Sequence, residues 1–170
     1  MTSILPDVLR PGLDIVFCGT AVGAASARRG AYYAGPGKRF WPTIHAIGLT
    51  PRRLRPEEYP TLLDHGLGLT DLAKGISGAD RVLSNRHFDV EGLKRKLLRY
   101  VPRILAFTGK RAAHEFFERR RPIEYGPMEE RVGETMLFVL PSPSGAARGY
   151  WNEGRWQELQ HMSRKLASTP

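Results

Sequence analysis

Four short apolar runs punctuate the chain: LDIVFC (Leu13 to Cys18), GLGLT (Gly66 to Thr70), RILAFT (Arg103 to Thr108) and MLFVLP (Met136 to Pro141). Each is short, apolar and bounded by turn-forming residues, the pattern of a buried strand. Between the runs the apolar period changes to three and four, and helices are predicted. WPTIHAI carries Pro42 in its first turn and stops at Gly48. PEEYPTLLD has Glu57 and Glu58 in its first turn, where the helix dipole favours negative charge. DVEGLKRKLLRY begins with Asp89 as a cap, places Leu93, Leu97 and Val101 on one face and ends at Pro102. KRAAHEFFERR follows the third run. A last helix, about Asn152 to Ala167, spaces Trp156, Leu159, Met162 and Leu166 at helical intervals.

Strands alternating with helices predict an α/β sandwich built on a mainly parallel four-stranded sheet, in one domain spanning residues 1–170. Ligands of such sheets bind beyond the carboxyl ends of the strands. Four segments therefore become candidates: GTAVG, TDLAKG, TGK and PSPSGAAR, each following one of the runs. The stretch Lys74 to Phe88 reads as a polar loop over the same face, or as a plain solvated connection.

Composition narrows the partner. Of 170 residues, 41% are hydrophobic and 25% charged, the balance of a globular domain. Lys and Arg number 26 against 17 Asp and Glu, a net charge of +9 and a pI near 10.1. An excess of that size points to a polyanion, nucleic acid first. The single cysteine, Cys18, excludes an internal disulfide or a Cys-rich metal site, and the five histidines (His45, His65, His87, His114, His161) show no ligand spacing. No apolar stretch is long enough for a membrane span and the first residues lack a signal-peptide pattern, so a cytoplasmic setting is expected.

Neither glycine-rich segment is specific alone. GTAVG is too short for a dinucleotide fingerprint and lacks the P-loop lysine. PSPSGAAR offers the Ser144 hydroxyl, backbone N–H groups and Arg148 to a phosphate. In combination they tell more. GTAVG, then GPGKRFWP, then ILAFTGKRA and finally VLPSPSGAAR, in that order and separation, resemble the mismatch-specific uracil DNA glycosylases, relatives of thymine DNA glycosylase in the uracil DNA glycosylase superfamily.

The resemblance implies a three-layer α/β/α sandwich and chemistry on a flipped base, with no metal or cofactor, a monomeric state and DNA containing uracil or abasic sites as the partner. It places Gly19, Thr20, Ala21, Ser26 and Tyr33 against the substrate, Tyr33 as the aromatic that stacks on uracil. Lys38, Arg39 and Lys110 face the DNA, with an internal ion pair the alternative for Arg39. Ser144, Gly145 and Arg148 grip the strand beside the flipped nucleotide, and Ala146 stands where the family carries a wedge. So small a wedge implies weak dependence on the base opposite uracil. Two positions depart from the family pattern, and both touch the chemistry. Ala21 replaces the asparagine that positions the attacking water, and Ser142 replaces the asparagine that opens the last motif. Asp71 ends the second run, where related branches carry a base-reading asparagine. Its carboxylate suits three tasks (accepting the uracil N3–H, orienting water, stabilising a sugar cation), with helix capping the alternative. Asp71 and Ser142 are thus the candidate catalytic residues. An enzyme, a non-catalytic module binding uracil or abasic DNA, and a binder of free nucleotides or RNA remain the three readings, the last leaving PSPSGAAR unexplained.

Overall fold

The computed structural model describes residues 4–78, 87–145, 149 and 151–169. Its five strands are β1 (Ile15–Val22), β2 (Leu67–Ser77), β3 (Ile104–Phe107), β4 (Gly126–Val132) and β5 (Thr135–Val139). The helices are α1 (Ala24–Arg29), α2 (Phe40–Ala46), α3 (Val90–Tyr100), α4 (Lys110–Phe116) and α5 (Glu153–Ala167), with a 3-10 helix at Pro56–His65. The strands form one sheet in the order β2-β1-β3-β5-β4. All neighbours are parallel except β4, which pairs antiparallel with β5. The sheet thus has five strands where the apolar runs predicted four. GPMEERV escapes an apolar criterion because it is an edge strand whose Pro127, Glu129 and Arg131 side chains are exposed.

Alternation along β1 builds two cores. Ile15 and Phe17 point to one face of the sheet and pack with Phe40, Trp41 and Ile44 of α2 and Trp156 and Leu159 of α5. Val16 and Cys18 point to the other and pack with Leu93 and Leu97 of α3 and Ala112, Ala113 and Phe116 of α4. Two helical layers on a sheet buried from both sides are what near-continuous apolar strands require. The predicted cap forms, Asp89 accepting the Gly92 N–H, and Asn152 caps α5 by accepting the Gly154 N–H. Val101 is the exception to the predicted apolar face; it is exposed, with φ 45°, because it terminates α3 in a left-handed turn.

Two departures from the predicted elements shape the site. β2 runs past Thr70 to Ser77, so the segment from Lys74 to Ser77 is strand rather than loop; residues 79–86 of the expected loop lie outside the described residues. The β1–β2 register slips there, Ala21 pairing with Ala73 but Val22 with Ser77. The extra residues on β2 form an irregularity of the kind that re-aims side chains. The chain before β1 also takes part in the sheet. Val8 exchanges backbone hydrogen bonds with Leu69, and Ile4 N–H donates to the Lys74 carbonyl, so this segment lies along the outer edge of β2. Gly68 allows the approach, since a Cβ there would stand 2.5 Å from the Val8 carbonyl oxygen.

Candidate active site

The carboxyl ends of β1, β2 and β3 and the segment after β5 enclose a cavity of about 950 Å³. Its lining includes Gly19, Thr20, Ala21, Ser26, Tyr33, Lys38, Asp71, Thr108, Lys110, Ser142, Ser144 and Gly145. The structure therefore gathers residues from four separated segments of sequence at one end of the sheet, as the position of such sites in parallel sheets requires.

Asp71 is the charged group at its floor. It belongs to β2 itself, and the next helix, α3, starts only at Val90, so capping is not its role. Asp71 is 5% exposed. Burial pushes its carboxyl up to about 6, against the pull of the Lys74 ammonium 3.5 Å away. Gly19 is its register partner on β1, and a Cβ at Gly19 would stand 3.1 Å from Asp71 Oδ1, 3.4 Å from Thr108 Oγ1 and 3.7 Å from the Tyr33 hydroxyl. Carboxyl and two hydroxyls converge over a residue without a side chain.

Tyr33 is held from both sides. Its ring stacks on Phe40 with centroids 4.1 Å apart and planes 16° from parallel, and its hydroxyl lies 3.0 Å from Thr108 Oγ1. Phe40 in turn meets Phe17 edge-on at 5.1 Å, and Phe17 stacks on Trp156 at 5.8 Å. The first core thus ends in the cavity's aromatic wall, each ring pair contributing about 0.5–1.5 kcal/mol beyond area burial. Tyr33 adopts φ 52°, a left-handed backbone that a bulky side chain enters only under constraint. Burial, then the charge on Asp71, raise its phenol above the ordinary range, so the hydroxyl remains a neutral donor and acceptor.

The other predicted residues separate into wall, rim and scaffold. Ala21 contributes only a methyl group to the lining. Ser26 borders the cavity, yet it is buried and its hydroxyl oxygen accepts the Ala34 N–H at 2.9 Å, which fixes the loop after α1. Ser142 Oγ accepts the Ser144 N–H at 3.2 Å, a local turn bond at the cavity's edge. Gly145 lets this turn close on the opposite wall, because a Cβ there would lie 3.0 Å from the Pro36 carbonyl oxygen. Lys38 and Lys110 both line the cavity, Lys110 over the Tyr125 ring at 4.4 Å. Arg39 lies elsewhere. It does not line the cavity. Its guanidinium covers the Trp151 ring at 5.2 Å, and its N–H donates to the Pro143 carbonyl. Arg39 makes no ion pair among the described residues, and its backbone bond to Pro143 ties it to the 141–145 turn. Ala146 and Arg148 lie outside the described residues.

Thr108, Tyr125 and Lys74 carried no signal of their own in the sequence. Thr108 ends a predicted strand, which placed it at the right edge of the sheet but gave no reason to single out its hydroxyl. Among the described residues no group of three or more His, Cys, Asp or Glu is placed to hold a metal ion. No helix among them is long and apolar enough to cross a membrane.

A profile of the uracil DNA glycosylase superfamily matches residues 6–164. The chain belongs to the uracil DNA glycosylase superfamily. A solution structure of a candidate uracil DNA glycosylase from Methanosarcina acetivorans is similar to it, with a TM-score of 0.65, 28% sequence identity and 96% of each chain covered. Membership accounts for the position of the cavity, and it supports a glycosylase role on DNA.

Proposed function

We propose that the protein is a monofunctional uracil DNA glycosylase of the mismatch-specific type. It flips uracil out of DNA and hydrolyses the N-glycosidic bond, leaving an abasic site, with no metal or cofactor. The observation that carries this reading is the buried Asp71 carboxyl over Gly19, beside the Tyr33 and Thr108 hydroxyls, in a cavity at the carboxyl end of the sheet. Superfamily membership and the net charge of +9 support it.

The chemistry asks for little covalent assistance. The electrons of the breaking bond leave with the base, and the sugar becomes oxocarbenium-like. Catalysis then depends on polar groups placed where charge develops. In its ionised form Asp71 stabilises the cationic sugar and accepts the proton of the water that adds to it. The Tyr33 ring provides a surface for the base, and the hydroxyls of Tyr33 and Thr108 provide donors for its carbonyl oxygens. Asp71 thereby takes over work that the asparagine of the family pattern does from the position of Ala21. Lys38 and Lys110 contact the phosphates of the strand that carries the flipped nucleotide, and the turn at Ser144 and Gly145 closes beside it. The protein acts as a monomer in this reading.

The methyl of Ala21 favours one competing reading, a module that binds uracil or abasic DNA without turning over. A single incubation separates the two. Protein in excess over uracil-containing duplex, followed by alkali, gives strand scission at uracil if the enzyme reading holds. DNA binding with no scission after hours identifies the module.

A further inference from the structure

Behind the cavity floor four charged side chains form a row. Lys74 Nζ is 3.0 Å from Asp7 Oδ1 and 3.5 Å from Asp71 Oδ2, and it donates to the Tyr32 hydroxyl at 2.9 Å. Asp7 is itself doubly engaged: Lys96 of α3 reaches its Oδ2 at 2.6 Å, and the Thr70 hydroxyl donates to its Oδ1 at 2.7 Å. The Lys74 side chain is 17% exposed and that of Asp71 4%. Two carboxylates and two ammoniums are therefore drawn into a half-buried row that only Asp71 connects to the cavity. Such a row is costly to desolvate and is weak evidence for a purely stabilising role.

The geometry is uneven in an informative way. One ammonium serves two carboxylates and stands closer to the one outside the cavity. The strand irregularity after Ala73 brings Lys74 round to this position, and the segment alongside β2 brings Asp7 to meet it. Burial works against the charge on Asp7, but Lys74, Lys96 and Thr70 outweigh it and hold that carboxyl below its ordinary range. Asp7 thus stays ionised while Asp71 titrates, and it keeps its claim on Lys74.

We propose that Lys74 is a positioning residue for Asp71, and that Asp7 fixes how much of the Lys74 charge Asp71 receives. The inference rests on the catalytic assignment of Asp71 made above. The groups facing Asp71 are Lys74 on its own strand, Asp7 on the edge segment, Lys96 on α3, Cys18 on β1, and Tyr32 and Tyr33 before α2. Cys18 and both tyrosines are raised by burial and stay neutral through the range concerned. The balance is left to Lys74, Asp7 and Lys96.

The test uses the full chain with two substitutions that push in opposite directions. Asp7→Asn removes a like charge and frees Lys74 for Asp71; the midpoint of Asp71 ionisation moves down by about one pH unit. Lys74→Met removes the cation, and the midpoint moves up by a similar amount. Asp7→Glu, which keeps the charge, leaves it in place. The midpoint is read from the carboxyl carbon of Asp71 by NMR titration, which needs no turnover, and then from the acid limb of the single-turnover rate on uracil DNA. A structural role lowers the rate at every pH without moving the midpoint. Asp71 resonances that titrate unchanged in folded Asp7→Asn protein, or that move the same way in both charge-removing variants, overturn the proposal. Opposite movements in the NMR titration, with no uracil release by any variant, uphold the relay and refute the glycosylase reading instead.

Discussion

Gly19 and Asp71 are register partners on adjacent parallel strands, and the missing Cβ of Gly19 leaves the space that the Asp71 carboxyl faces. A methyl group there would meet Asp71 Oδ1 at 3.1 Å and Thr108 Oγ1 at 3.4 Å, tight enough that both must give. Gly19→Ala is expected to lower the single-turnover rate on uracil DNA at least about tenfold, the scale for disturbing one positioned catalytic group. Thermal unfolding should change little beside that loss. A rate within twofold of the parent protein would show that the carboxyl is not used at this spot.

Asp71→Ala should cost at least about tenfold in the same assay, and the parent rate should depend on pH. With the carboxyl pushed up to about 6, the ionised form is lost as pH falls through that value. The rate should then drop about tenfold per pH unit below the limb and level off above it. Ala21→Asn, which restores the family pattern, should bring little gain if Asp71 does the work proposed for it. A large gain from Ala21→Asn, with Asp71→Ala neutral, would return the chemistry to the first motif.

The same burial has an opposite effect on stability. A carboxyl raised from 3.8 to about 6 favours the folded state below its unfolded value, and that contribution is lost as pH rises through 6. Asp71→Asn removes the buried charge while Lys74 keeps Asp7 and the Tyr32 hydroxyl as partners. The variant should therefore gain stability at pH 8, on the order of 2 kcal/mol, and show no gain near pH 4. Urea titrations at the two pH values measure the difference. Such a gain paired with lost activity is the signature of a functional group held at a cost.

Lys38 and Lys110 both line the cavity. If both meet phosphates, replacing either by alanine should weaken DNA binding about equally for all sequences. It should also reduce the slope of log affinity against log salt by roughly one. Arg39→Ala should leave that slope alone, since the Arg39 guanidinium is engaged over the Trp151 ring. Fluorescence anisotropy at several salt concentrations decides each case.

The four parallel strands were legible because burial on both faces demands an apolar run, and Leu13 to Cys18 or Arg103 to Thr108 can be little else. β4 was not legible, because an edge strand with one wet face mixes Pro127, Glu129 and Arg131 into its pattern. The far end of β2 was hidden for a related reason: Lys74 and Ser77 look like loop residues until Lys74 is seen to be paired. Within the site, Asp71 was singled out because it follows an apolar run, although the strand itself continues to Ser77. The reach of Lys74, the hydroxyl of Thr108 and the part played by Asp7 depend on which strands become neighbours, and no local pattern records that. The contact of the Arg39 guanidinium with Trp151 was equally hidden, because the two residues meet only through the fold.

The segment from Ile4 to Val8 occupies the outer rim of β2, while the opposite rim carries proline and charge at Pro127, Glu129 and Arg131. The first border is paired at Leu69 and Lys74, and the second carries residues that disfavour pairing with another strand. A chain shortened past Val8 would leave the edge of β2 between Leu69 and Lys74 open to pairing with another strand. The segment that brings Asp7 to Lys74 thus also shields a strand edge.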